Sequence, residues 1–494
     1  MTKIGFDNDK YIKLQTQNIR DRISSIGGKL YMEFGGKLFD DYHAARVLPG
    51  FKPDSKLRML LEMKDEAEIV IAIAANAIEQ NKRRGDSGIT YDQEVMRLID
   101  AFHEIGLYVG SVVVTMYAGQ PAAKAFEKKL TALGIKVYRH YNIADYPSNV
   151  SHIISEDGFG KNDYIETERS LVVVTAPGPG SGKMETCLSQ LYHDHKRGIN
   201  AGYAKFETFP IWSIPLKHPV NLAYEAATAD LNDVNMIDPY HLAAYGETTV
   251  NYNRDIEIFP VLQAMFTRIF GKSPYQSPTD MGVNMAGFCI TDDEAVCEAS
   301  KQEIIRRYYS ALCNVRKGMA EQSEIMKLEL IMNTLGISTD IRPIVKAATA
   351  VADRTEGPAV AIELSDGRIV TGKTSKLLGA SAAALLNVLK VLGGIDDKYD
   401  LIAPSIIEPI QKLKVNHMGN HNPRLHMDEV LIALSICALS DEKAKTALEQ
   451  LSKLNCCEVH STVILSSVDA NIFKKLGMNL TCEPKYQTKK LYHR

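Results

Sequence analysis

The sequence lacks the features that would place it in a specialised class. Its longest apolar run, Ile69 to Ile78, is too short to cross a bilayer, which takes about 20 residues. The start, MTKIGFDNDKY, has no apolar signal-peptide core. A cytoplasmic chain with no membrane partner is therefore expected. Cysteine is sparse and scattered, eight in all, and no CxxC pair occurs. That argues against a disulfide scaffold and a Cys-rich zinc site. Neither sign of charge dominates: 57 Lys and Arg stand against 60 Asp and Glu, a net charge of -3. There is no basic footprint for duplex nucleic acid, so no nucleic-acid partner is expected. No internal repeat or low-complexity tract stands out.

What is present is ordinary globular material. The 494 residues are 45% hydrophobic and 24% charged, enough for two to four domains. Over residues 1–220, strand-like and helix-like segments alternate. Ala67 to Ala75, Tyr108 to Met116 and Leu171 to Thr175 are near-continuous apolar runs, the pattern of strands buried on both faces. Tyr11 to Ile26, Ser55 to Glu66, Tyr91 to Ile105 and Ala122 to Leu133 have helical spacing. The fold class is α/β, with a mostly parallel sheet flanked by helices. Residues 221–340 read as a mainly helical subdomain. Residues 341–494 read as a second, smaller α/β domain. It would open with a hairpin from Ala359 to Thr371 around Ser365-Asp366-Gly367. Strands are expected at Asp400 to Ala403 and Thr462 to Leu465, with helices at Leu377 to Leu392, Met427 to Leu439 and Lys443 to Leu454.

The sharpest chemical signal is Ser170-Leu-Val-Val-Val-Thr-Ala-Pro-Gly-Pro-Gly-Ser-Gly-Lys183. A hydrophobic strand ends in a loop with Gly178, Gly180 and Gly182, and Lys183 opens a helix. Glycines let backbone N–H groups turn inward, the helix start adds partial positive charge, and Lys183 can reach terminal phosphates. This strand–loop–helix order is the context of a phosphate loop, so the first domain is expected to be P-loop-like. The match to GxxxxGK[ST] is incomplete. Pro177 holds the first position and Met184 follows the lysine, so the usual Mg²⁺-binding hydroxyl is missing. Ser181 and Thr186 are the available replacements. A tight turn without a ligand is the plainer alternative. Gly367-Arg-Ile-Val-Thr-Gly372-Lys373-Thr374 fits the pattern literally, yet β-branched Ile369 and Val370 sit where an open loop should be. It reads as a decoy in a hairpin, and Phe270-Gly-Lys-Ser273 is weaker still.

Carboxylates to accompany the loop are harder to choose. Glu207 ends a possible strand, Asp230 and Asp233 follow an Ala-rich helical stretch, and Asp280 lies in Pro278-Thr-Asp-Met-Gly-Val-Asn284. Lys217-His218 precedes a helix opened by Pro219 and could face an anion. Solvated helix faces explain each equally simply. A second constellation spans Asn416 to Glu429, with three His, three Asn, one Arg and two carboxylates in fourteen residues. We expect a functional loop leading into a helix. Arg424 suits a substrate anion, and His421 and His426 suit proton transfer near neutral pH. The spacing of His417, His421 and His426 matches no common zinc pattern.

Two resemblances follow. From residue 366 the order of hairpin, helix and strand resembles the cytidine-deaminase-like layout. Ser381-Ala-Ala383 and Ser405 with Glu408 stand where zinc ligands would be, which implies a scaffold without zinc chemistry. The Gly178–Lys183 loop, Pro278–Asn284 and Asn422-Pro-Arg-Leu-His-Met-Asp-Glu-Val-Leu-Ile-Ala433 together resemble an uncharacterised family of bacterial cytosolic proteins. That resemblance covers the whole chain and implies a P-loop-like first domain, but supplies no activity. The loop is also similar to that of synthetase-type P-loop proteins such as formate–tetrahydrofolate ligase. The expected protein binds ATP or another phosphate ligand, with or without Mg²⁺, through Gly178, Gly180, Ser181, Gly182, Lys183 and Thr186. It would act on a small molecule as an ATP-dependent ligase, kinase or hydrolase, as a homo-oligomer. A non-catalytic protein binding a phosphate metabolite is the alternative.

Overall fold

A computed structural model describes residues 3–36, 38–39, 41–84 and 88–487. The chain forms two compact units. The first comprises Ile4–Glu225 and Asp233–Cys297; the second comprises Ala226–Asn232 and the chain from Glu298 on. The stretch 221–340 is thus divided between the two.

The first unit is built on strands β1 (Lys29–Phe34), β2 (Ala67–Ala74), β3 (Val109–Tyr117), β4 (Lys136–Tyr141), β5 (Leu171–Thr175), β6 (Ala201–Phe206), β7 (Asn235–Ile237), β8 (Val250–Tyr252) and β9 (Gly282–Val283). Seven form one sheet in the order β4-β3-β2-β5-β1-β6-β9, and every pairing in it is parallel. The remaining two, β7 and β8, pair with each other antiparallel. All residues of β2 and β5 are buried, as their apolar, β-branched runs require of strands covered on both faces. The one charge inside β2, Glu68, accepts backbone N–H groups from Glu168 and Arg169.

The chain lays β1 through β4 in one direction, then returns to insert β5 between β2 and β1, and continues the other way through β6 and β9. Right-handed crossovers put connections of opposite direction on opposite faces. Accordingly the Lys183–Lys196 helix, which follows β5, packs on β1, β5 and β6, whereas the Tyr91–Glu104 helix packs on β2 and β3. At such a reversal the connections diverge and leave a crevice beyond the carboxyl ends of the strands. The loop after β5 emerges there. Local signals set the helix ends: Asp7 caps Asn8–Ile26 and Gly27 stops it in a left-handed conformation, while Thr90 and Gln93 form a capping box for Tyr91–Glu104.

The second unit holds β10 (Ala359–Glu363), β11 (Ile369–Lys373), β12 (Glu458–Ser461) and β13 (Asn479–Cys482) in the order β11-β10-β12-β13. The first two are the expected hairpin, and only β12 and β13 are parallel to each other. The Ala380–Gly393 and Met427–Cys437 helices bury Leu385, Leu389, Val430 and Leu434 in its core. Two expected strands are corrected. Residues 400–403 form no strand; Leu401 and Ile402 are buried, but Pro404 opens the Pro404–Asn416 helix directly after them. The deaminase-type layout therefore lacks its third strand, and Ser405 and Glu408 are exposed on that helix. The strand expected at Thr462 to Leu465 lies upstream as β12, where Glu458 joins Arg342 and Arg306 in an ion cluster. No helix among the described residues is long and apolar enough to cross a membrane.

Candidate functional site

The turn from Pro177 to Gly182 joins β5 to the Lys183–Lys196 helix. It is held from within and from β3. The Ser181 hydroxyl donates to Gly178 O at 2.8 Å, and Thr115 Oγ1 donates to Ser181 O at 2.8 Å. Gly182 has φ 81, and a Cβ there would sit 2.9 Å from the Thr115 side chain. Only glycine meets both demands. Gly178 packs against the Tyr91 ring, where a Cβ would lie 2.3 Å from the phenol oxygen. Lys82 and Arg84, on the stretch after β2, donate to the carbonyls of Pro179 and Pro177 at 3.5 and 3.2 Å.

Beside this turn is a cavity of about 330 Å³, lined by Gly180, Ser181, Gly182, Lys183, Met184 and Glu185. Glu33 of β1, Met116 of β3 and Tyr141, Asn142, Ile143 and Tyr146, at and after the end of β4, complete its wall. Lys183 Nζ lies 3.6 Å from Glu33 Oε1, too far for a hydrogen bond. The other Glu33 oxygen accepts the Tyr203 hydroxyl at 2.9 Å. Glu185 Oε1 accepts from Asn162 Nδ2 at 3.3 Å, and burial pushes its carboxyl up to about 7. Met116 has φ 53 where the β3–β4 register shifts, a left-handed backbone that non-glycine residues adopt seldom. Thr186 is fully buried, and its hydroxyl donates to Gly182 O at 2.9 Å. Ser181 and Thr186 thus both spend their hydroxyl protons on loop carbonyls. Donation leaves the oxygen lone pairs available; Ser181 lines the cavity, whereas the fully buried Thr186 is not part of its wall.

Glu207 follows β6 directly, as expected, and belongs to a buried cluster. Lys205 Nζ donates to Asp255 Oδ1 at 2.7 Å and lies 2.9 Å from Glu207 Oε1. Tyr252 donates its hydroxyl to the same Glu207 oxygen at 2.8 Å. Burial raises Glu207 to about 7, while its carboxylate partners keep Lys205 charged. In register, Lys205 on β6 is the neighbour of Glu33 on β1. The remaining candidates take other roles. Asp233 is buried against Arg254 at 2.6 Å, and Asp230 is exposed. Asp280 accepts the Ser277 N–H at 3.1 Å and the Tyr245 hydroxyl at 2.9 Å, capping the Pro278–Met281 turn.

His218 meets Asp293 at 3.0 Å and Cys297 at 3.5 Å, a group with the residue types of a metal site. Both contacts involve Nε2, while Nδ1 accepts the Val220 N–H at 3.2 Å. Nε2 therefore carries the proton of the neutral ring and donates to Asp293. A metal on Nε2 would need the opposite tautomer.

In the second unit, Gly372 and Lys373 lie within β11, and Gly367, at φ 84, closes the hairpin, so that literal motif sits in a sheet. Gly271 ends the Asn253–Phe270 helix with φ 79. The Asn416–Glu429 segment is shorter as a loop than expected, because helix runs to Asn416 and resumes at Met427. Its polar groups form a helix cap. Glu429 accepts the His426 N–H at 2.8 Å and Lys414 Nζ at 2.7 Å; Asp469 accepts the Met427 N–H at 2.9 Å and lies 3.1 Å from His426 Nδ1. Arg424 Nε donates to Ser375 O at 2.8 Å, and His421 and His417 are exposed.

Sequence reasoning missed Glu33, Glu185 and the Lys82–Arg84 run. Glu33 had a legible signal: an apolar strand that ends Glu33-Phe34-Gly35-Gly36. Lys82-Arg83-Arg84 is a basic run directly after a buried strand and its short helix.

Comparison with known proteins adds a family. A family model described as "Domain of unknown function DUF1846, N-terminal" matches residues 4–336, and its C-terminal counterpart matches residues 340–492. A UPF0371 protein of Streptococcus pyogenes serotype M28 is 58% identical over 494 residues, all of both chains. A UPF0371 protein of Streptococcus thermophilus matches equally, 58% over the full length of each.

Proposed function

Because this chain belongs to the DUF1846 (UPF0371) family, whose description gives no activity, we propose a function from the geometry: it binds a phosphate-bearing small molecule at the Gly178–Lys183 turn. The observation that carries the reading is Lys183. Its ammonium stands at a helix start, on a glycine turn, over a cavity at the sheet's reversal point, and its partner Glu33 is beyond hydrogen-bond range. An entering phosphate would give Lys183 an anion at hydrogen-bond distance in place of the more distant Glu33 carboxylate. It would also gain the unsatisfied N–H groups of the first helical turn.

The same cavity supports an enzyme of the phosphoryl-handling classes, hydrolase, kinase or ligase. A carboxyl near pH 7, as Glu185 has, can give or take a proton at physiological pH. A metabolite-binding protein without catalysis is the second reading. It is favoured by Met184, which stands directly after the lysine where a phosphate loop carries the hydroxyl that holds Mg²⁺.

Calorimetric titration with ATP, ADP and inorganic phosphate, each with and without Mg²⁺, tests the proposal. Lys183→Ala should weaken binding about tenfold or more, the loss of a charge-assisted hydrogen bond. Lys373→Ala, the strand lysine, should change nothing. Absence of binding by all three probes, or equal affinity in Lys183→Ala, would overturn it. Phosphate release from ATP separates the enzyme from the binder.

A further inference from the structure

We infer that the ligand of this cavity is a phosphorylated polyol, a phosphoester whose carbon skeleton carries hydroxyl groups. The inference rests on the phosphate reading and adds the chemistry of the rest of the molecule.

The cavity has two chemically different sides. One is the glycine turn with Lys183, suited to an anion. The other presents Glu33 and Glu185, each under a tenth exposed. Glu33 Oε1 accepts no hydrogen bond from the described residues, and neither does Glu185 Oε2. An ionised carboxylate only accepts, and a protonated carboxyl both donates and accepts, so a hydroxyl, itself donor and acceptor, can pair with either state of these groups. Both residues line the cavity, so these oxygens are open to a molecule that enters it. Phosphate alone supplies no such donors at neutral pH beyond its own residual proton, and it would set its charge against the Glu33 carboxylate. A hydroxylated skeleton reverses that. Its phosphate takes the turn and Lys183, and its hydroxyls pair with Glu33 and Glu185. Asn142, exposed at the rim, can meet the hydroxyl oxygens. The volume is at the small end of the range for small-molecule sites, about 300–1,000 Å³, which suits a short skeleton.

Glu185 is then the specificity-determining residue. It does not touch the phosphate; it selects what the phosphate is attached to.

The test uses matched probes on the full chain. Glycerol 3-phosphate and n-propyl phosphate share a carbon chain and a charged group and differ in two hydroxyls; inorganic phosphate is the reference. Glycerol 3-phosphate should bind about tenfold or more tightly than n-propyl phosphate by calorimetry. In Glu185→Gln, whose amide keeps the Asn162 contact, that preference should shrink to about threefold or less. Glu33→Gln should shrink it too and stands in should Glu185→Gln fail to fold. Equal or tighter binding of n-propyl phosphate overturns the inference, as does a preference unchanged by both variants. If n-propyl phosphate and inorganic phosphate bind while hydroxyls confer nothing, the phosphate reading survives and this one falls. If none of the three binds, both fall.

Discussion

Glu185 offers a measurement that depends on no ligand. Its carboxyl is buried in the first turn of the Lys183–Lys196 helix, and burial lifts it from an ordinary 4.5 to about 7. Between those values the folded chain holds a proton that the unfolded chain has released. Stability therefore falls as pH rises through this window and levels off above about 7. At roughly 1.4 kcal/mol per tenfold change, the loss is about 3 kcal/mol. Glu185→Gln has no proton to lose. Relative to wild type it should be near neutral at pH 5 and more stable by about 3 kcal/mol at pH 8, because a buried charge has been avoided. Taking the difference between the two proteins cancels every other titrating group. The chain's one tryptophan, Trp212, lies in the same compact unit as Glu185, so its emission during guanidinium unfolding follows the relevant unit. A wild-type-minus-variant difference that stays constant from pH 5 to 8 would show that Glu185 is solvated and ionised throughout, and would remove it as an acid–base candidate.

Three further outcomes are expected. Gly182→Ala should destabilise the first unit by more than the ~1–2 kcal/mol of a left-handed alanine, because its Cβ also meets Thr115; Gly180→Ala, at φ 77 with open space around it, should lose only the backbone part, and equal losses in melting experiments would contradict the geometry. In the second unit Glu458→Ala should destabilise by about 3–5 kcal/mol, since it strips the carboxylate from Arg342, which is 1% exposed, and from Arg306; a loss below about 1 kcal/mol by circular dichroism would refute this. Asp469 holds the His426 imidazole above its ordinary value, so this pair stabilises at low pH and the contribution is lost as pH rises through the folded-state value; Asp469→Asn should abolish that pH dependence, and His426→Ala should lower stability without altering phosphate binding.

The central sheet was legible because parallel strands covered on both faces are written as unbroken apolar runs, as in β2 and β5. The turn at Gly178–Lys183 was legible because glycines with a lysine at a helix start leave little alternative. Strand β12 was not. Glu-Val-His-Ser is more polar than the Thr-Val-Ile-Leu that follows, and it becomes a strand through distant partners: Arg342 and Arg306 for Glu458, and Thr481 for His460. Glu33 and Glu185 were hidden for a related reason. A carboxylate at a strand's end or in a helix's first turn is common on a solvated surface, and only the return of β5 to the centre encloses these two. In the polar loop the spacing left a local role hidden: His426 and Glu429, with Asp469 from afar, cap the helix that opens at Met427.

The position of β5 also sets a timetable. As the chain leaves the ribosome from its N-terminus, β2, β3 and β4 can pair as they appear, but β1 has both its neighbours, β5 and β6, still to be made. Until Leu171–Thr175 emerges, β1 and β2 present open, largely apolar strand edges, the kind of surface that invites wrong pairing. Synthesis of one five-residue strand closes an edge of each at once, and the other edge of β1 waits for β6. The glycine turn is made in the same stroke, since it is the continuation of that strand. A nascent chain stopped short of residue 171 would thus be a ready client for chaperones, while one a few tens of residues longer would already hold the cavity floor in place.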